Sequence, residues 1–533
     1  MADTLTFIFC IVAAVLAFGN LSVELRRQLI MLQQNSYRRE RYVRWLRESR
    51  DSASGWKICA AIAGLAALLP FCPTAAGLVL MGGFAIVSIL SLLRRKYKKP
   101  LVMTPRALRI YLTAIAISAI VAAAAGIVFA SAPVYALAVC LTFGYVLAAL
   151  VIILANAVLG PVEKAINRRY IRDAERILSS MPELKIIGIT GSYGKTTTKH
   201  YLHRILSEKY ETLMTPGSYN TPLGVVRTVR ELLKPYHEVF IVEMGAKARG
   251  DIEEICDIVH PTRGIITAVG PQHLESFKSI DNVQATKFEL ADALPADGLI
   301  VVNNDFEKIA DRPVGNTRCT RYAVKNITPE VDWTATDIRY SASGTSFTVR
   351  NTHTGEELRL TTPLVGECNI SNVLAAVVMA REMGVDSRQI AYAVEHLQQV
   401  EHRLSIRRIP GGLTIIDDAF NSNPVGSAMA LDVLAAMKPG RRILITPGMI
   451  ELGSEQERLN REFGRKAAAS ADEVIVVGHY NRAAIASGLD QGGMDKARVH
   501  LADSFAQAQA ILGRIAAAGD TVLYENDLPD TFK

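Results

Sequence analysis

The residues best suited to chemistry lie in one stretch, Gly188-Ile189-Thr190-Gly191-Ser192-Tyr193-Gly194-Lys195-Thr196-Thr197-Thr198. Glycines let a backbone curl until its N–H groups, with the N-terminus of a following helix, surround an anion. Lys195 would reach the terminal phosphates of a nucleotide, and Thr196 would place a hydroxyl on Mg²⁺. Gly191, Ser192, Tyr193, Gly194 and Thr197 would form the rest of the cradle. The spacing G-x-x-G-x-x-G-K-T departs from G-x-x-x-x-G-K-[ST] and marks a subclass of phosphate loops. The expected ligand is ATP.

Such a loop works only between a buried strand and a helix. Lys185-Ile186-Ile187 is a β-branched run that reads as the strand, and Lys199 to Leu206 carries apolar residues at helical spacing. Further on, Val239-Phe240-Ile241-Val242 ends in Glu243. A carboxylate at the C-terminal end of a parallel strand lies beside the phosphate crevice, where it can hold Mg²⁺; a solvated strand-end glutamate is the bland alternative. His273 follows the strand candidate Gly264–Val269 and could be a second metal ligand. Lys287, on a helix after it, reads by itself as a surface lysine.

The chain alternates strand and helix after residue 185, which predicts an α/β fold with a parallel sheet. Later strand candidates are Leu299–Val302, Thr414–Ile416, Ile443–Thr446, Val474–Val477 and Val522–Tyr524. Residues 330–362 alternate with period two and predict a small antiparallel excursion. Arg407-Arg408-Ile409-Pro410-Gly411-Gly412 marks a boundary to a second α/β domain. The expected domains are 185–404, with the phosphate loop, and 405–533, Rossmann-like, joined through a linker helix at 161–184 to a membrane region at 1–160.

That region holds most of the excess hydrophobicity of a chain in which 50% of 533 residues are hydrophobic. Thr4–Val23 has membrane-spanning length, with Asp3 before it and Arg26-Arg27 after it, the reverse of a cleaved signal. Ile58–Leu93, broken by Pro70 and Pro73, predicts two helices and a tight turn. Ala107–Ala130 and Pro133–Leu159 make five spans in all. Residues 26–57 hold eight arginines and Lys57 among aromatics, suiting an interfacial helix on an anionic leaflet. With the N-terminus outside, every basic cluster falls on the cytoplasmic side of an inner membrane, together with the α/β domains. No acidic residue, lysine or histidine occupies a span centre, so nothing suggests an ion pathway.

Residues 1–180 carry 21 Lys and Arg against 8 Asp and Glu, while the remainder is net acidic. The overall charge of +7 therefore describes membrane flanks and gives no case for nucleic-acid binding. Seven cysteines without a C-x-x-C pair indicate neither a disulfide framework nor a zinc site.

Nine segments, the phosphate loop among them, occur in a collinear order that resembles the Mur ligases, ATP-dependent amide-forming enzymes of cell-wall assembly. They include the phosphate loop, Gly217-Ser218-Tyr219-Asn220-Thr221-Pro222-Leu223-Gly224, Val242-Glu243-Met244-Gly245-Ala246 and His273-Leu274-Glu275. Ala285-Thr286-Lys287, Val302-Asn303-Asn304-Asp305 and Gly366-Glu367-Cys368-Asn369-Ile370-Ser371-Asn372 follow. Asp417-Asp418-Ala419-Phe420-Asn421-Ser422-Asn423-Pro424 and Met449-Ile450-Glu451-Leu452-Gly453 complete the set. Within the family the chain looks most like the branch that adds D-alanyl-D-alanine to UDP-N-acetylmuramoyl-tripeptide.

The resemblance implies a carboxylate–amine ligase that passes through an acyl phosphate, using ATP and Mg²⁺. Lys195, Glu243, His273, Lys287 and Arg403 would be catalytic. Thr196, Glu243, His273 and Lys287, the last carbamylated, would hold metal. Asn369, Arg403 and Asp418 would contact nucleotide, and Asn220, Thr221 and Asn421 the other substrates. The donor would be an amino acid or short peptide and the acceptor a carboxylate of an envelope precursor, lipid-linked or held at the membrane face, with membrane lipids as further partners. Cys368 stands where the family has histidine, and no aspartate precedes Met449 in Thr446-Pro447-Gly448-Met449. Membrane spans occupy the place of a uridine-nucleotide-binding domain. A polyglutamate-type ligase, a transport-coupled membrane ATPase and a silent scaffold are the competing readings.

Overall fold

The structure, a computed structural model, describes residues 2–49, 51, 54–69, 74–95, 97, 99–341, 344–420 and 422–527. Two compact units are present, Met1–Arg168 and Arg169–Asp527.

The first unit is helical. Its helices are Ala2–Gln34, Arg39–Glu48, Gly55–Leu68, Thr74–Arg94, Pro105–Val128, Pro133–Val146 and Ala148–Val158, and Gly160–Ser179 leads out of it. Small residues pack between them: Ala107, Ala114, Ala148 and Ala155 are fully buried. Leu21, Leu25, Leu29, Ile110 and Ile152 are buried with them, while Ile120 and Val79, each at 68% exposure, and Ile127, at 77%, face outward. Small residues at helix contacts and large apolar ones turned outward are what helices packed in lipid adopt.

The sequence predicts five spans; among the described residues three helices are long and apolar enough to cross a membrane, Thr6–Gln34, Ala75–Arg94 and Pro105–Val128. Gly55–Leu68 has 14 residues, about 21 Å of helix against a hydrocarbon core of about 30 Å. Pro133–Val146 and Ala148–Val158 qualify only as a pair, and they bend by 82° at Leu147. No proline marks that bend. The turn at Pro70 and Pro73 lies outside the described residues.

The basic stretch at 26–57 holds the end of the first helix and the helix Arg39–Glu48, which buries Tyr42 and Trp45. The first helix continues through Arg26 and Arg27 to Gln34, and Arg27 turns inward. Its guanidinium donates to Glu24 and, at 2.7 Å, to Asp51, which also accepts from Lys57 at 2.8 Å and Gln28 at 2.9 Å. All four charged groups are buried, so two acids and two bases neutralise one another where water is excluded.

The second unit contains two sheets. In the first, β1 Lys185–Thr190, β2 Thr212–Met214, β3 Val239–Glu243, β4 Arg263–Ile266, β5 Leu299–Asn303, β6 Arg318–Ala323, β7 Trp333–Ser341, β8 Gly344–Asn351 and β9 Glu357–Thr362 are ordered β2-β3-β1-β4-β5-β6-β7-β8-β9. Pairing is parallel from β2 to β7 and antiparallel across β7, β8 and β9. The antiparallel excursion lies where the period-two alternation predicts it. Ile187, Ile189 and Ile241 face one core, against Leu202, Val373 and Val377; Ile186, Phe240 and Val242 face another, against Val225 and Ile255. Coverage on both faces is why these strands read as unbroken apolar runs.

The second sheet holds β10 Ser405–Arg408, β11 Thr414–Asp418, β12 Arg442–Thr446, β13 Glu473–Val477, β14 Val499–Ala502 and β15 Thr521–Glu525, in the order β10-β11-β15-β12-β13-β14. Only β10 runs antiparallel to its neighbour. This is the expected α/β pair of layers following apolar helices. In the first sheet β1 lies between β3 and β4, so the chain leaves it in opposite directions and a crevice opens above its C-terminal end.

Candidate active site

The phosphate loop fills that crevice. β1 delivers the chain to Gly191, and the helix Lys195–Leu206 begins after Gly194. Gly194 has φ +77°, and a Cβ there would sit 2.4 Å from Asn372 Oδ1. At Gly191 a Cβ would fall 2.1 Å from Thr267 Oγ1. Both positions exclude any larger side chain. Ser192 Oγ donates to the Gly270 carbonyl and accepts from the Gly270 amide, each at 3.1 Å, tying the loop to the segment that carries His273. Lys195 folds back on its own loop, its Nζ 2.6 Å from the Gly191 carbonyl. Burial lowers its pKa to about 8.

Glu243 ends β3 and is 1% exposed. Its Oε1 accepts from Thr196 Oγ1 at 3.1 Å and from Asn220 Nδ2 at 3.0 Å. Its Oε2 lies 2.9 Å from the buried ammonium of Lys199. Burial alone would raise this carboxyl, but Lys199 and Lys195 hold it below its usual range. Lys199 also donates to the Gly217 carbonyl at 2.7 Å. Its place was open to inference from its spacing: it stands four residues after Lys195, one turn along the same helix face.

The nucleotide cleft is about 350 Å³ and is lined by Ser192 to Thr197, Asn220, Glu243 and Asn369. Arg403, just before β10, and Asp418, at the end of β11, close its other wall. Arg403 stacks over Phe420 at 4.5 Å, donates to the Phe420 carbonyl at 3.1 Å and reaches Thr196 Oγ1 at 3.5 Å. Burial pushes Asp418 up to about 6; its register neighbour on β15 is Glu525. Asn369 accepts from the Tyr201 hydroxyl and donates to the Val365 carbonyl, so its amide is already engaged. Cys368, at the family's histidine position, lines the cleft with its thiol pushed up to about 12 by burial.

Besides Gly191 at the base of the loop, three expected residues stand apart from the cleft lining. Thr221 caps the helix Pro222–Glu231, accepting from the Gly224 amide. Lys287 is 2% exposed on the helix Ile280–Asp292, so it is no surface lysine. Burial, helped by the charge of Lys195, lowers its pKa to about 7. His273 has φ +53° and gives its Nδ1 to Glu451. Burial lowers its pKa although Glu451 opposes the shift. Asn421 lies outside the described residues. Gln272, Asp305 and Phe306 line the cleft unforeseen as site residues; Asp305 was legible only as part of a motif, and Phe306 gives no sequence signal.

The donor set suits Mg²⁺. One hydroxyl and one carboxylate oxygen, Thr196 Oγ1 and Glu243 Oε1, meet beside a phosphate cradle, and Mg²⁺ typically takes few protein oxygens and completes its shell with phosphates and waters. Among the described residues no group of three or more His, Cys, Asp or Glu forms a ready cage.

Two family models match the chain, the Mur ligase middle domain over residues 189–380 and the Mur ligase glutamate ligase domain over 402–524. The UDP-N-acetylmuramoyl-tripeptide–D-alanyl-D-alanine ligase of Escherichia coli K12 is 32% identical over 316 residues, 58% of this chain and 69% of the relative. Its Bacillus subtilis counterpart is 29% identical over 347 residues, 64% and 72%. Among solved structures, MurF from Acinetobacter baumannii superposes with a TM-score of 0.61 at 26% identity, covering 68% of this chain and 77% of that one. MurF ligase from Thermotoga maritima in complex with ADP gives 0.60 at 23% identity, over 68% and 80%, a likeness of fold. A phosphate loop opposed by Glu243, closed by Arg403 and matched to these relatives over both α/β sheets leaves one assignment: the chain belongs to the Mur ligase family, as a MurF-like ligase that uses ATP and Mg²⁺ to form amide bonds.

Proposed function

We propose that this chain is a membrane-anchored ligase that joins the amine of a short peptide, D-alanyl-D-alanine by analogy with its relatives' names, to the terminal carboxylate of a UDP-N-acetylmuramoyl-peptide. One observation supports it above others: Thr196 and Asn220 converge on a single oxygen of Glu243, in a cleft whose far wall carries Arg403 and Asp418. Lys195 binds the transferring phosphoryl group, and Arg403 and Asp418 bind nucleotide with Asn369. Thr196 and Glu243 hold Mg²⁺, and His273 with carbamylated Lys287 serves a second metal. Bound Mg²⁺ neutralises phosphate charge, the main demand of phosphoryl transfer. The acceptor carboxylate takes the γ-phosphoryl group and ADP leaves; the amine then attacks the acyl carbon, expelling phosphate and losing a proton. Asn220 contacts the other substrates, while Thr221 fixes its loop as a helix cap.

The lipid-facing pattern of the helical unit supports anchoring in the inner membrane, N-terminus outside, with catalytic domains 185–404 and 405–533 in the cytoplasm behind a linker at 161–184. Anchoring would present the cleft to an acceptor held at the membrane face. The test supplies the full chain in detergent with ATP, Mg²⁺, D-alanyl-D-alanine and either UDP-N-acetylmuramoyl-tripeptide or its lipid-linked form. Phosphate release requiring both amine and acceptor is expected, with a product mass equal to their sum less water. Release indifferent to both substrates would refute the reading, and the preferred acceptor decides between soluble and lipid-linked forms. Retention in membranes washed with alkaline carbonate checks the anchoring.

A further inference from the structure

Glu451 lies on the segment after β12, in the second sheet's half of the unit, yet its partners lie in the first. Its carboxylate takes the Nδ1 of His273 and, at 3.1 and 3.3 Å, the Nζ of Lys247. Its carbonyl accepts from the Glu275 amide at 3.2 Å. Both residues of the His273–Glu451 pair hold positive φ, +53° and +61°, a conformation that costs a side-chain-bearing residue about 1–2 kcal/mol and persists where surrounding contacts enforce it. Three contacts to one loop residue, made from a strained backbone, form a built junction between the two α/β halves. His273 is in turn anchored toward the phosphate loop, because Gly270 holds Ser192 and Gln272 lines the nucleotide cleft.

We propose that Glu451 is a positioning residue that holds His273 by Nδ1 and reserves Nε2 for the metal, so that docking of the C-terminal half completes the metal site. This rests on His273 being a metal ligand, as in the reading above. A carboxylate on the far nitrogen of a ligating histidine fixes its tautomer and ring orientation and raises its basicity. Here that carboxylate arrives from the opposite half of the cleft. Metal affinity and domain docking then become one coupled equilibrium, since each favours the conformation the other needs. Lys247 restrains the same carboxylate from its other side.

The experiment uses the full chain in detergent, Mn²⁺ as the probe metal and a non-hydrolysable ATP analogue. Electron spin echo modulation reports a nitrogen bound to Mn²⁺, and titration gives Mn²⁺ affinity. In the unaltered protein a ¹⁴N modulation is expected. Glu451→Ala should abolish it and weaken Mn²⁺ about 10–100-fold, Glu451→Gln should restore part of both, and analogue binding without metal should be unchanged. Thermal unfolding verifies that each variant is folded. If Glu451→Ala keeps both the modulation and the affinity, the positioning role is overturned while His273 stays a ligand. If the unaltered protein shows no ¹⁴N modulation, the His273 assignment itself falls and takes the proposal with it. Ligase turnover by that same protein would still leave the reaction class standing.

Discussion

Thr196 donates its hydroxyl to Glu243 across 3.1 Å, joining the first turn of the phosphate-loop helix to the end of β3. The contact brings together, before any ligand arrives, the two groups proposed above to hold Mg²⁺. Thr196→Val keeps the shape and removes the oxygen. Its kcat should fall on the order of 10²–10³-fold, the cost of losing one preorganised electrostatic group. Circular dichroism should be unchanged. The measurement is steady-state phosphate release at saturating ATP and Mg²⁺, and a kcat within threefold of the parent would exclude Thr196 from the metal site.

Lys287 carries a pH prediction. With its pKa lowered to about 7 by burial, the side chain is an ammonium below that pH and a free amine above it. Only the amine captures CO₂, forming a carbamate and releasing a proton. Occupancy of the carbamate should therefore rise as pH increases through about 7, and ¹³C NMR under ¹³CO₂ should show a carbamate resonance absent from Lys287→Arg. The linkage has the same sign. The native state binds fewer protons here than the unfolded chain between the lowered pKa and the ordinary lysine value, so this group's contribution to stability improves with rising pH in that window.

Gly194→Ala should damage nucleotide binding through the backbone. The position has φ +77° and the new methyl would sit 2.4 Å from Asn372 Oδ1. The left-handed conformation alone costs about 1–2 kcal/mol, and relief of the clash must move the loop or Asn372. Affinity for a fluorescent ATP analogue should drop at least tenfold. Undiminished affinity would mean that the loop does not cradle phosphate in this conformation.

In the helical unit, Asp51 accepts from Arg27, Gln28 and Lys57. Asp51→Asn leaves two buried cations with one acid, and breaking a buried pair from one side costs about 3–5 kcal/mol. A lowered unfolding temperature in detergent is expected. The double substitution Asp51→Asn with Lys57→Met should recover much of the loss, and the absence of recovery would argue against a direct charge balance.

Some features needed no coordinates. The phosphate loop, the strand ending in Glu243 and the run of family motifs are local patterns of glycine, β-branched residues and charge, and local patterns are set by neighbours in the chain. The parallel sheet followed, because covered strands must be apolar throughout. Tertiary structure decided the rest. It turned Lys287 from an apparent surface residue into a buried amine, brought Lys199 onto Glu243, and bent one apolar run at Leu147, so that among the described residues three helices are long and apolar enough to cross a membrane, or four with the bent pair counted as one. It also carried Glu451 across to His273, 178 residues away in sequence. Burial, charge compensation and domain docking depend on what arrives from distant parts of the chain, and periodicity along the sequence records only which faces are apolar, never which partner will cover them.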